Sequence, residues 1–170
     1  MKAPTNFRVH GAQFNPDQHP HAPTIDKSYI YMTCDSELLV FLEPENPDIG
    51  LQLPGGTLDP EEGFEAAARR EFFEETGHPL LGPLTQFAEQ TFPYVSSEGP
   101  VLHNRRMFHA PVAVKPDEAW DHYEMDPSDG GDPILFRFFW VPLLQPGQAF
   151  HVDFEHPLPA LYTHLSGKSV

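Results

Sequence analysis

The chain has 170 residues, with 25 Asp and Glu against 10 Lys and Arg, for a formal net charge of −15. That balance excludes a nucleic-acid duplex or an anionic membrane surface as the main partner, because both select a basic face. The longest apolar runs fall short of the 18 or so residues of a membrane helix, and Cys34 is the only cysteine, so neither a membrane span nor an intrachain disulfide is expected.

In chain order, residues 1–28 are polar and proline-rich and read as a loose segment with a short strand near 7–9. They lack the apolar core of a secretory signal, so a cytoplasmic location is expected. Residues 28–33 and 37–42 read as a hairpin across Cys34-Asp35-Ser36. Residues 51–53 form a short strand before a Pro-Gly-Gly turn, and residues 61–76 form a helix opened by Asp59 as N-cap and Pro60 at its first position. Gly77 stands where a helix ends with positive φ, and Pro79 blocks continuation. Further strands are expected over 84–92, 104–114 and 134–144, with a final helix over 159–165. Residues 93–100 read as a loop, and residues 115–133 as an acidic loop of a length that is usually functional. The whole predicts one domain over 1–170, of α/β class, with a mixed sheet covered by helices. A homodimer is left open.

The stretch GTLDPEEGFEAAARREFFEETGH, residues 56–78, concentrates the chemistry. On a helix, Glu71 and Glu75 lie one turn apart with Glu74 beside them, so three carboxylates share one arc and repel. A solvated acidic face would account for a bare run of this kind. Here, however, Phe64, Ala68 and Phe72 recur at four-residue spacing, and burying that apolar stripe fixes which way the carboxylates point. A hard divalent cation turns their repulsion into ligation, because Mg²⁺ takes carboxylate oxygens together with substrate phosphates.

At these residues the chain resembles the Nudix hydrolases. Their signature is G-x5-E-x7-R-E-U-x-E-E-x-G-U, with U a bulky aliphatic residue. Gly56, Glu62, Arg70, Glu71, Phe72, Glu74, Glu75 and Gly77 satisfy it, after a matching Leu53-Pro54-Gly55-Gly56 lead-in. His78 departs from the last position, where a change of packing is expected. The resemblance implies an α/β/α sandwich and a phosphoanhydride hydrolase that uses Mg²⁺, with Mn²⁺ able to substitute. Its substrate would be an anionic, nucleotide-type small molecule, a nucleoside diphosphate linked to another moiety. By the same resemblance Glu71, Glu74 and Glu75 are metal ligands, the Gly56 carbonyl adds an oxygen, Arg70 orients a box glutamate, and Glu62 is structural.

The general base is open at this level. It is a box glutamate or an acid on a later loop, with Glu98 and Glu124 ranked ahead of Asp117, Glu118, Asp121, Asp126, Asp129 and Asp132. Trp120 and Tyr123 could stack a nucleobase or simply pack. Substrate markers conflict. Pro93 is placed as in family members resembling ADP-ribose hydrolases, Tyr94 as in those resembling dinucleoside polyphosphate hydrolases. The rival reading is a catalytically idle Nudix domain acting as a nucleotide sensor. Such domains usually lose a box glutamate or the arginine, and this chain retains them.

Overall fold

The computed structural model describes residues 14–127 and 130–167. The strand expected near 7–9, and Asp129 among the base candidates, lie outside the described residues. The element order is β1 (Thr24–Cys34), β2 (Glu37–Leu42), β3 (Gly55–Thr57), α1 (Phe64–Thr76), β4 (Thr85–Ser96), β5 (Gly99–Pro111), β6 (Trp120–Glu124), β7 (Ile134–Pro142) and α2 (Leu158–Ser166), with two short 3-10 turns. The strands make one mixed sheet in the order β4-β5-β1-β2-β7-β6, with β3 on β1. Among the strands of the described residues, β1 and β5 run parallel, from Thr24↔Leu102 to Thr33↔Pro111, and the other strand pairings are antiparallel.

The central strands alternate, and the two faces fill with different partners. Ile30 and Met32 of β1 and Leu39 and Phe41 of β2 pack with Ala68 and Phe72 of α1. Tyr29, Tyr31, Leu38 and Val40 pack on the other face with Leu158 and Leu161 of α2. A helix thus covers each face of the sheet, the α/β/α sandwich that the motif implied.

Two features place the middle of the fold. β1 shares its second edge between two partners: β2 pairs at Thr33 and Cys34, whereas β3 pairs at Lys27, Ser28 and Tyr29. The sheet therefore splits beside β1, and the residues of β3 stand in the split. The hydroxyl of Ser28, fully buried, donates to the Phe64 carbonyl at 2.7 Å and ties the start of α1 to β1.

Several expected boundaries move. β1 begins at Thr24, inside the segment expected to be loose, because its pairing with β5 extends to that residue. Residues 51–53 form only isolated bridges, Phe41↔Gln52 and Leu51↔Phe150. The loop expected over 93–100 is mostly strand: β4 runs to Ser96 and β5 starts at Gly99, so Pro93 and Pro100 sit in a long hairpin with β4 at the sheet edge, where a missing N–H is tolerated. The acidic segment 115–133 contains β6, paired with β7 from Trp120↔Phe138 to Glu124↔Ile134. Helix α1 starts at Phe64 with Gly63 as N-cap, not at Pro60. Glu61 takes a left-handed conformation, φ 65°, and Glu62 folds back to accept from the Asp59 N–H at 2.9 Å. The Glu62 N–H donates in turn to the Asp59 carbonyl at 3.1 Å, so Asp59-Pro60 opens a turn ahead of the helix rather than the helix itself. Glu62 therefore does not lie on the helix opposite Glu71.

Candidate metal and phosphate site

Helix α1 carries its carboxylates on the side facing the split in the sheet. Ala68 and Phe72 are fully buried, and Glu75, 7% exposed, continues their stripe one turn on. A carboxylate on the buried stripe of a helix is costly unless something compensates it. One oxygen, Oε2, accepts the Gly55 N–H at 3.1 Å. Burial first, then the charge of Glu71, hold the Glu75 carboxyl well above the ordinary carboxylate range. Glu71 is shifted the same way, mainly by burial, against the opposing hydrogen bond from Arg70.

Arg70 organises the near wall. Its Nε and Nη2 grip both oxygens of Glu62, each at 2.9 Å. Nη1 donates to Glu71 at 2.9 Å and to Glu74 at 3.1 Å, and Nη2 also donates to the Thr57 carbonyl at 3.0 Å. The planar guanidinium thus fixes the loop, β3 and two box carboxylates at once. Arg70 thus holds Glu71 and, one turn on, Glu74 at the same time. Glu62 stays below the ordinary carboxylate range, chiefly through its Arg70 hydrogen bonds.

Gly56 is required by close approach. A methyl group there would stand 2.6 Å from the Glu71 carboxyl carbon and 2.7 Å from both of its oxygens. Glycine at this position lets the backbone of β3 lie directly against the carboxylate.

The far wall comes from β6. Glu124, 8% exposed, brings a carboxylate oxygen to the box: Glu71, Glu75 and Glu124 each offer one oxygen, all within 4.8 Å of one another. The register of β6 sets this position. Arg137 holds Asp121 with two bonds of 2.9 Å, and the Trp120 indole donates to the Thr76 carbonyl at 2.8 Å, tying β6 to the end of α1. Gly77, φ 76°, closes α1 where an added methyl would meet the His122 ring at 2.8 Å.

A cleft of about 390 Å³ opens over this arrangement, with Glu71, Glu74, Glu124 and Asp126 on its polar side and Ile134 and Phe136 on its apolar side. Three buried or half-buried carboxylates with only oxygen donors, two of them held above their ordinary range, suit a hard divalent cation. Glu74, half-exposed and bonded to Arg70, stands at the cleft rim outside the group of three.

Among the base candidates, Glu124 and Asp126 reach the cleft. Glu98 does not line it: the residue sits in the turn between β4 and β5, its N–H bonded to the Ser96 hydroxyl. Asp117 lies beside His78, and Asp121 is held by Arg137. Trp120 is committed to packing, stacked on Phe138 at 5.0 Å and edged by His78 at 4.9 Å. His78 therefore fills the last motif position by packing on an aromatic ring. Tyr123 of the same strand is exposed.

The family model described as NUDIX domain matches residues 26–158. No curated protein matches the sequence. Among solved structures, the chain is similar to a MutT NUDIX hydrolase from Burkholderia pseudomallei, at 18% identity and TM-score 0.58, covering 81% of this chain and 98% of that one. It is similar to the NUDIX domain of Shewanella oneidensis NrtR, solved with ADP ribose, at 15% identity and TM-score 0.56, covering 89% and 94%. A mutT/nudix family protein from Listeria innocua gives 17% identity and TM-score 0.55, covering 87% and 98%.

Proposed function

Because the chain belongs to the Nudix family of hydrolases, we propose that it is a Mg²⁺-dependent pyrophosphohydrolase that cleaves a phosphoanhydride bond in a nucleoside diphosphate linked to a second moiety. The observation that carries this reading is the convergence of Glu71, Glu75 and Glu124 within 4.8 Å, beside Gly56 and under a cleft wide enough for a nucleotide. Glu71 and Glu75, with the Gly56 carbonyl, would hold Mg²⁺ or Mn²⁺, and Glu74 would add an oxygen from the rim. When bound, the metal neutralises charge on the diphosphate and acidifies water for attack.

The chain's own residues do the rest. Arg70 fixes Glu71 and Glu74, so the donors are ordered before substrate arrives. The Gly55 N–H orients Glu75. Glu124 faces the box from β6 and takes the proton of the attacking water as its oxygen bonds to phosphorus. The phosphoanhydride P–O bond breaks, and the leaving phosphate carries away the electron pair. Ile134 and Phe136 give the cleft an apolar wall for the base or sugar end of the substrate. ADP-ribose-like molecules and dinucleoside polyphosphates both fit this description, and the NrtR domain solved with ADP ribose makes the former a natural first substrate. The idle-sensor reading draws no support from the site, whose box arginine and glutamates are all in place.

The reading is tested with a panel of ADP-ribose, diadenosine polyphosphates, nucleotide sugars and nucleoside triphosphates, with products identified by mass. At least one member should be cleaved at a phosphoanhydride bond with Mg²⁺ and not in excess chelator. Cleavage that persists in chelator would overturn it.

A further inference from the structure

On its way to β3 the chain pairs with β2 at Gln52. The Gln52 N–H donates to the Phe41 carbonyl at 2.9 Å and the Phe41 N–H to the Gln52 carbonyl at 3.0 Å, so the two side chains stand opposite one another on one face. That face is the one α1 covers: Phe41 packs with Ala68 and Phe72, and its ring lies 4.3 Å from that of Phe136. Gln52 thus joins Ile134 and Phe136 among the walls of the cleft.

Gln52 is only 9% exposed, and what it shows to the cleft depends on which way its amide is turned. Glu43, immediately after β2 and 1% exposed, decides that. Oε1 of Glu43 accepts from Nε2 of Gln52 at 3.2 Å, and Oε2 accepts from Nδ2 of Asn46, also at 3.2 Å. Turned over, the Gln52 carbonyl oxygen would face a carboxylate oxygen, two acceptors with no proton between them. Burial makes that arrangement costlier still. The amide nitrogen is therefore held inward. Oε1 of Gln52 is left as an acceptor for the cleft, with no donor to it among the described residues.

An acceptor of fixed orientation beside an apolar wall selects a hydrogen-bond donor on a flat ring. The exocyclic amines of adenine and cytosine donate where guanine and thymine present carbonyl oxygens. Building on the hydrolase reading and deepening it, we infer that Gln52, oriented by Glu43, selects the base end of the substrate and takes an amine-bearing base, adenine or cytosine, over its keto counterpart. Oε1 accepts from the amine in the enzyme–substrate complex. A keto oxygen in its place leaves two acceptors opposed, and binding weakens. Glu43 is a positioning residue that acts through Gln52.

Steady-state kinetics on the best substrate of the panel and on its deaminated counterpart, inosine for adenosine or uridine for cytidine, provide the test. The wild type should favour the amine by about tenfold or more in kcat/KM. The difference should lie mainly in KM, because the base is held alike before and during the reaction. Gln52→Leu should bring the two substrates within about twofold of each other, through a higher KM for the amine-bearing one. Glu43→Gln touches no substrate, yet it lets the amide turn over and should cut the preference to about threefold or less. Combining Glu43→Gln with Gln52→Glu reverses the buried hydrogen bond, keeps an acceptor toward the cleft and should restore the preference. Each single change leaves a buried group unpaired, so the combined exchange carries the test if a single variant does not fold. A wild type that cleaves both members of the pair equally, or whose best substrate carries a keto base, overturns the inference and leaves the hydrolase reading standing. So does a Gln52→Leu or Glu43→Gln protein that keeps the wild-type preference, or a combined exchange that folds and cleaves without it. If no member of the panel is cleaved, the hydrolase reading falls and the role of Gln52 falls with it.

Discussion

Replacing Gly56 by alanine separates the site from the fold. The new methyl carbon would stand 2.6 Å from the Glu71 carboxyl carbon, where ordinary contact begins at 3.4 Å. The obstacle is the far end of a flexible side chain, so the carboxylate yields and the backbone stays. Glu71 must retreat by roughly 0.8 Å, and a misplacement of about 1 Å in a reacting site costs on the order of 10²-fold, near 2.7 kcal/mol of transition-state stabilisation. Gly56 is absent from the left-handed residues, so alanine fits its backbone. Its lower entropy when unfolded contributes about 0.4–1 kcal/mol in favour of the fold, which offsets the local strain. The expected outcome is a melting temperature within a few degrees of wild type, kcat lower by about two orders of magnitude, and weaker Mg²⁺ binding. Steady-state kinetics on the best panel substrate, with a metal titration and a thermal melt, measure all three. Wild-type kcat and metal affinity in the alanine variant would refute the placement of Glu71 against β3 as functional. Loss of activity together with unfolding would assign Gly56 to packing alone.

Other predictions follow from the same geometry. Glu124→Gln should lower kcat by about 10²-fold or more with little change in KM, whereas Glu98→Gln, at the β4–β5 turn, should leave both within about twofold; the reverse result would move the base to Glu98. Arg70→Lys cannot reproduce the fork onto Glu62 together with the bonds to Glu71, Glu74 and the Thr57 carbonyl, so kcat should fall by about 10-fold or more, and full activity would deny Arg70 its ordering role. Glu75 titrates above the ordinary value of 4.5 because burial and Glu71 disfavour its charge. Its contribution to the stability of the metal-free protein is thus present below 4.5 and lost as pH rises through the raised folded-state value. Mg²⁺ should restore it, so melting-temperature gain on adding metal should grow with pH across that window; a gain independent of pH would place the metal elsewhere.

What the sequence disclosed and what it hid divide along contact range. The spacing of Phe64, Ala68 and Phe72 and the punctuation by Gly77 are local, and they locate α1, its buried face and its end. The start of the helix lies a few residues later than local signals place it, because the Asp59-Pro60 pair that usually opens a helix here opens a turn stabilised by Glu62, and Glu62 answers to Arg70 eight residues away. The prolines and serines of residues 93–100 have the composition of a loop, and only pairing across strands overrides it to make the long β4–β5 hairpin. β6 was hidden for the same reason. Its acids suggest a solvated loop, yet Asp121 is paired with Arg137, Trp120 is stacked on Phe138, and Glu124 is buried against the box. Sequence could nominate Glu124 among many acids; only the β6–β7 register selects it.

Hydrolysis in ¹⁸O-labelled water asks whether a metal held by Glu71 and Glu75 supports cleavage of a phosphoanhydride bond. With Mg²⁺ and the best panel substrate, one phosphate product should carry a single ¹⁸O, and Glu75→Gln should abolish its formation while raising the melting temperature of the metal-free protein, since it removes a buried charge. Label incorporation in excess chelator, or at the wild-type rate in Glu75→Gln, would mean that no metal at Glu75 supports the reaction.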